Sequence, residues 1–183
     1  IIERHRGDKK VYAVGFSLGA QVLVEYISLY PEHIDKAVIN SALVIPMPFV
    51  RKMAKLMGSI SVKLVWWNWF MKIQAKQLYI SEAQYPHFLE CARGMGKKGY
   101  ARIMSENARY QLPESFSESK TGVFLLYGAK EPKVMKKSFE KIRESRKDVK
   151  AKIVEGIGHG ISLANPDLFN RLVRIYLETG EVE

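Results

Sequence analysis

The chain has 183 residues, 47% of them hydrophobic and 26% charged, with a formal net charge of +10. That apolar share excludes a disordered tail, and no uninterrupted apolar run is long enough to span a bilayer. The single cysteine, Cys91, excludes an internal disulfide and suits a reducing compartment, so a cytoplasmic location is expected.

Ile1 to Arg6 is helix-like and stops at Gly7, a natural helix end. Val11 to Gly15 is a short apolar run of strand type. It leads into Gly15-Phe16-Ser17-Leu18-Gly19 and then a helix-like run from Ala20 to Tyr30. Strand, G-x-S-x-G and helix form the order that a nucleophile elbow requires. Such a turn is tight, so the residues two before and two after Ser17 are expected to be small. It lifts the Ser17 hydroxyl out of the sheet and sets the Leu18 N–H at a helix N-terminus, where it can stabilise an oxyanion. Farther along, His33 in Tyr30-Pro31-Glu32-His33 reads as a helix-end loop residue, and His5 and His87 read as solvated.

Lys36 to Asn40 is a second strand. From about Leu43 to Ser119 no comparable strand pattern occurs. Residues 44–118 are therefore expected to form a helical cap or lid on a core built from 1–43 and 119–183. Val62, Val65, Trp66, Trp69, Phe70 and Ile73 recur at the spacing of one helix face, with Trp67 off the stripe. Ser81 to Gly94 and Lys98 to Tyr110 are also helix-like, and Met47, Met53, Met57 and Met71 add adaptable apolar surface. Most of this stripe suits packing of cap on core. One or two aromatics would line an acyl or aromatic pocket, with Phe16, Trp66, Trp69 and Phe70 as candidates. Periodicity does not choose among them.

Thr121 to Tyr127 is an apolar, aromatic strand that runs into Gly128-Ala129-Lys130-Glu131-Pro132. A helix from Lys133 to Arg146 follows, then a strand from Lys150 to Glu155. That strand leads to Gly156-Ile157-Gly158-His159-Gly160 and a final helix from near Asn165 to Glu178. Strands alternating with helices imply an α/β architecture with a parallel sheet and right-handed crossovers. A serine, an acid and a histidine thus each stand just past the C-terminal end of a strand, where such sheets gather their ligand-binding and catalytic groups. Taken singly, Ser17 is also an ordinary turn serine, His159 a loop histidine and Glu131 a helix-start acid. Their order together carries the reading.

On Gly15-Phe16-Ser17-Leu18-Gly19, Gly128-Ala129-Lys130-Glu131 and Gly158-His159-Gly160, the chain resembles the α/β-hydrolases over nearly its whole length. The order Ser, acid, His is theirs and differs from the chymotrypsin and subtilisin orders. The resemblance implies a mostly parallel sheet with flanking helices, the C-terminal part of the fold, plus an α-helical cap insertion. It implies Ser17 as nucleophile, His159 as general base, Glu131 as the acid and the Leu18 N–H as one oxyanion donor. Members commonly have Gly-x-x-Asp where this chain has Glu131, whose longer stem must fold back to reach the imidazole. The other acid position used in the family, after the sixth strand, reads Asn40-Ser41-Ala42 and holds no carboxylate, which favours Glu131.

Family members carry several strands and a second oxyanion loop ahead of the nucleophile, whereas this chain opens at Ile1 without a His-Gly loop of that kind. The resemblance therefore implies that an N-terminal half of the domain is absent. The first strand's edge would then be open to a second copy, giving a homodimer, or to the missing N-terminal half. The isolated chain would be a weak catalyst, since one lost oxyanion donor typically costs about 10²–10³ in rate.

The expected activity is that of a serine hydrolase cleaving a carboxylic ester, thioester or related small-molecule acyl compound through an acyl-enzyme on Ser17. Acyl transfer on the same fold and a non-catalytic ligand-binding module are the alternatives. A serine nucleophile points away from dehalogenase and epoxide-hydrolase relatives, which use Asp. No cofactor is expected, and no metal, because the remaining histidines and Cys91 lack metal-ligand spacing. Positive charge gathers at Lys97-Lys98, at Lys130 to Lys137 and from Lys141 to Lys152, where it alternates with acids as on a solvated helix face. An anionic membrane surface is the lesser reading of that charge. Nucleic acid is not expected, for want of a recognition helix, zinc site or RNA-binding aromatic motif.

Overall fold

Four strands lie side by side in chain order and all run parallel: β1 (Tyr12–Phe16), β2 (Lys36–Asn40), β3 (Gly122–Gly128) and β4 (Lys150–Val154). The computed structural model describes residues 2–50 and 67–183, with Lys97 and Tyr100 described in backbone only. It falls into two units, one of Ile1–Ile45 with Gln111–Glu183 and the other of Pro46–Tyr110.

The first unit holds the sheet. Parallel neighbours need crossovers, and helices supply two of them. α2 (Leu18–Leu29) joins β1 to β2, and α6 (Lys133–Ser145) joins β3 to β4. A short α1 (Ile2–Arg6) precedes the sheet, and α7 (Ile161–Ala164) and α8 (Pro166–Thr179) follow it. The strand bounds match those expected from the sequence to within one residue at each end. β2 and β3 are central and buried on both faces, which is why Ala37-Val38-Ile39 and Val123 to Tyr127 read as continuous apolar runs instead of alternating ones.

On one face Val38, Phe124, Leu126 and Val154 pack against Leu172 and Tyr176 of α8 and against Ile161. Alternation puts Leu125 and Tyr127 on the opposite face, where the Tyr127 ring meets Phe139 of α6 at 5.3 Å between centroids. The buried residues of α6 are Met135, Ser138, Phe139 and Ile142, spaced as one helical stripe. α8 starts on Asn165, whose side chain accepts the Leu168 N–H at 3.1 Å, with Pro166 in the first turn. It ends where Lys36 Nζ donates to the Tyr176 and Leu177 carbonyls at 3.1 and 2.7 Å, a cation on the negative helix end.

β1 is an edge strand. Among the described strands it pairs with β2 alone, and Tyr12 and Val14 are exposed.

The second unit is helical among its described residues: α3 (Asn68–Gln77), α4 (Tyr85–Gly94) and α5 (Gly96–Arg109). Arg93 of α4 donates to the Asn68 side-chain oxygen of α3 at 3.1 Å. Met71 and Ala75 are the buried residues of α3, whereas Trp69 and Ile73 are exposed. The buried face therefore differs from the Trp69–Ile73 stripe read from the sequence. Val62, Val65, Trp66, Met53 and Met57 lie outside the described residues. No described helix is long and apolar enough to cross a membrane.

Candidate active site

Ser17 sits between the end of β1 and the start of α2 with φ 54° and ψ −116°, a backbone that non-glycine residues rarely adopt. Surrounding bonds hold it there. Its N–H donates to the Asn40 carbonyl at 2.9 Å, and its own carbonyl accepts from Ala20 and Gln21 at 3.0 and 3.2 Å. A Cβ on Gly15 would lie 2.6 Å from the Gly19 oxygen and 2.8 Å from the Ala20 Cα, so this position must be glycine. Gly19 is different, since a Cβ there meets no described atom within 4 Å. The expectation that both flanking positions must be small holds only on the strand side. There the helix start crosses over the strand; the helix side faces outward. Leu18 opens α2, so its N–H belongs to the first turn, whose amides have no partner within the helix.

Glu131 follows β3 in a turn closed by its N–H on the Gly128 carbonyl at 3.0 Å. Its side chain is wholly buried and folds back over the strand end. Oε1 accepts the Gly128 N–H at 2.9 Å and the Ser41 hydroxyl at 2.7 Å. Oε2 faces His159 Nδ1 at 2.8 Å. This is how the longer Glu stem is accommodated. Nearby, burial and then the Glu131 charge push the Tyr127 hydroxyl above its usual range, so it stays protonated; it lies 3.4 Å from the Glu131 carbonyl oxygen.

The loop after β4 is zipped to this turn. Ala129 and Lys130 donate to the Val154 and Ile157 carbonyls, each at 2.9 Å. A Cβ on Gly128 would lie 2.6 Å from the Ile157 oxygen and would also strike the Gly158 oxygen. Gly160, at φ 107°, turns the chain into α7 and lies against Phe16. Phe16 also packs on the imidazole, ring centroids 5.0 Å apart. His159 Nε2 is 2.9 Å from Ser17 Oγ. A carboxylate on Nδ1 requires the proton there, which leaves the Nε2 lone pair to accept the Ser17 proton.

The structure thus brings Ser17, His159 and Glu131 into one hydrogen-bonded line, with Leu18 at the helix start beside it and Phe16 against the histidine. Trp69 and Phe70 stand on α3 in the second unit, and Trp66 lies outside the described residues. Sequence reading passed over Ser41, because only a carboxylate was sought at that strand end. The available signal was a run of two polar residues closing a buried strand. Among the described residues no group of three or more His, Cys, Asp or Glu is placed to hold a metal.

Compared with protein-family models and with curated proteins, the sequence matches none. Solved structures do match. The MGS-M2 α/β hydrolase from a Medee basin deep-sea metagenome library superposes with a TM-score of 0.76 at 14% identity, over 98% of this chain and 69% of that one. A bromoperoxidase from Bacillus anthracis gives 0.74 at 18% identity, over 92% and 67%. A thermophilic esterase from Thermogutta terrifontis gives 0.68 at 14% identity, over 96% and 67%. At these identities the likeness establishes the fold, and the chain spans about two thirds of each neighbour's length.

Proposed function

We propose that this chain, which carries the C-terminal part of an α/β-hydrolase fold, is a serine hydrolase that cleaves a carboxylic ester, thioester or related acyl compound. The observation that carries the reading is the line Ser17 Oγ, His159 Nε2, His159 Nδ1, Glu131 Oε2, with contacts of 2.9 and 2.8 Å at its two joints. It stands on a strained elbow at the C-terminal end of a parallel sheet.

The steps follow from roles. His159 Nε2 takes the Ser17 proton as Oγ attacks the acyl carbonyl carbon. The carbonyl oxygen becomes an oxyanion, and the Leu18 N–H stabilises it. Glu131 stabilises the imidazolium and holds the ring in its tautomer without taking the proton itself. His159 then gives that proton to the leaving alcohol or thiol, and an acyl-enzyme remains on Ser17. Water, deprotonated by His159, attacks the acyl-enzyme, and the proton returns to Ser17 Oγ as the acid leaves.

An apolar acyl pocket is proposed, with Phe16, whose ring packs on the His159 imidazole, as one of its side chains. The free, exposed Cys91 suits a reducing, cytoplasmic compartment. The test is hydrolysis of a series of aryl esters of increasing acyl length. Medium apolar acyl groups should be favoured over acetyl. A flat profile would remove the pocket from the reading, and hydrolysis undiminished by Ser17→Ala would remove the nucleophile.

A further inference from the structure

We infer that Asn40 and Ser41 extend the Ser17–His159–Glu131 line into one directional hydrogen-bond chain, in which Ser41 is the positioning residue for Glu131. The inference rests on the proposed roles of those three residues. It starts from the wholly buried Glu131 side chain. A buried carboxylate is costly unless both oxygens are hydrogen-bonded. Oε2 has His159, and Oε1 has the Gly128 N–H at 2.9 Å and the Ser41 hydroxyl at 2.7 Å.

The Ser41 hydroxyl has a second neighbour, the Asn40 side-chain oxygen at 3.0 Å. A hydroxyl owns one proton and cannot donate to both acceptors. Asn40 is fully buried, and its Nδ2 has no partner among the described residues. One rotation resolves both conflicts. The oxygen and nitrogen of an amide are nearly alike in shape, and their assignment follows the hydrogen bonds. Turning the Asn40 amide over puts Nδ2 3.0 Å from Ser41 Oγ. Asn40 then donates to Ser41, Ser41 donates its one proton to Glu131, and His159 donates to the other carboxylate oxygen. What remains unpaired is a carbonyl oxygen instead of an N–H, the more tolerated of the two.

The backbone points the same way. Ser41 has φ 58°, a left-handed conformation that glycine adopts freely and other residues adopt at a cost. Its N–H is tied to the Leu126 carbonyl at 3.0 Å, so the residue cannot relax away. Glycine would relieve the strain and supply no hydroxyl. A glutamate has one more rotatable bond than an aspartate, and the Ser41 bond fixes where its carboxylate stops.

The test uses the 183-residue chain with Ser41→Ala and Ser41→Gly, the second of which relieves the backbone while removing the same hydroxyl. The first readout is the proton NMR signal of the His159 Nδ1–H, which needs no turnover. In the unmodified chain it should be resolved downfield and protected from solvent exchange. In both variants it should be lost or broadened, while the remaining amide spectrum shows a folded chain. The second readout is ester hydrolysis. kcat should fall about tenfold with KM nearly unchanged, the scale of one hydrogen bond to a charged group. In a Glu131→Ala background, Ser41→Ala should then cost nothing further. A His159 signal missing from the unmodified chain, or unchanged in Ser41→Gly, overturns the inference. So do additive losses with Glu131→Ala. A chain that hydrolyses no ester yet loses the signal in both variants contradicts the proposed hydrolase and leaves the Ser41 assignment standing.

Discussion

His159 Nε2 lies 2.9 Å from Ser17 Oγ although 142 residues separate the two in sequence. Two loops make that approach, one after β1 and one after β4, with two strands between them in the sheet. The contact therefore depends on the whole sheet being in register, and on the Glu131 turn that braces the histidine loop.

Removing the members of this line should have graded effects. Ser17→Ala and His159→Ala should each lower ester kcat by about 10³-fold or more while leaving the fold intact. Glu131→Gln should lose less than His159→Ala, because Glu131 orients the base without moving the proton. Steady-state kinetics of the three variants, beside their far-UV spectra, check the ranking. A Glu131→Gln variant as active as the unmodified chain would put the acid elsewhere.

The glycines separate by what surrounds them. Gly15→Ala forces a Cβ within 2.6 Å of a backbone oxygen and should destabilise by about 2 kcal/mol or more. Gly19→Ala sits in an open helical position and should be neutral or stabilise by about 0.5–1 kcal/mol. Denaturant midpoints measure both. Equal losses at the two positions would contradict the elbow packing described above.

Much of this was legible in the sequence, for identifiable reasons. The central strands are buried on both faces, so Val123 to Tyr127 could only read as a run. Ser17, Glu131 and His159 stood out because each lies within a few residues of a strand end, and strand ends in a parallel sheet converge. The role of Ser41 was not legible, because two polar residues closing a buried strand do not name the group they meet until the carboxylate 90 residues away has been placed. The buried face of α3 was misread for a related reason. Trp69 and Ile73 fit a helical stripe by type, but a stripe does not say which side meets other atoms, and the structure buries Met71 and Ala75.

Asp148 should make stability depend on acid pH. Its hydrogen bond from Arg146 holds the carboxyl below its ordinary value, against a smaller upward push from partial burial. A carboxyl lowered by folding adds stability that is fully present above its unfolded value and is lost as the pH falls through the folded one. The Asp148 side chain is 64% exposed, so solvent screens the pair and its worth at pH 7 is at most about 1 kcal/mol. Asp148→Asn should therefore unfold slightly earlier at pH 7, and the gap should close below the ordinary carboxylate range. Thermal melts across that range give the answer. A gap that widens with acid would reverse the sign.

The edge of β1 that is unpaired among the described strands should drive association. Val14 is 50% exposed on it, and α2 exposes Val22 and Leu29 at 63% and 60%. An apolar edge strand with unpaired backbone groups is a template for a second chain. The isolated 183-residue chain should sediment as a dimer or larger species at micromolar concentration, and Val14→Lys should shift it toward monomer. A stable monomer of the unmodified chain would contradict this.

The central claim is that His159 activates Ser17 as a nucleophile. It is tested most directly by reacting the chain with a fluorophosphonate and mapping the modified residue by peptide mass spectrometry. Modification should fall on Ser17, disappear in Ser17→Ala and slow at least about 10²-fold in His159→Ala. No modification, modification at another serine, or an unchanged rate without His159 would contradict the assignment.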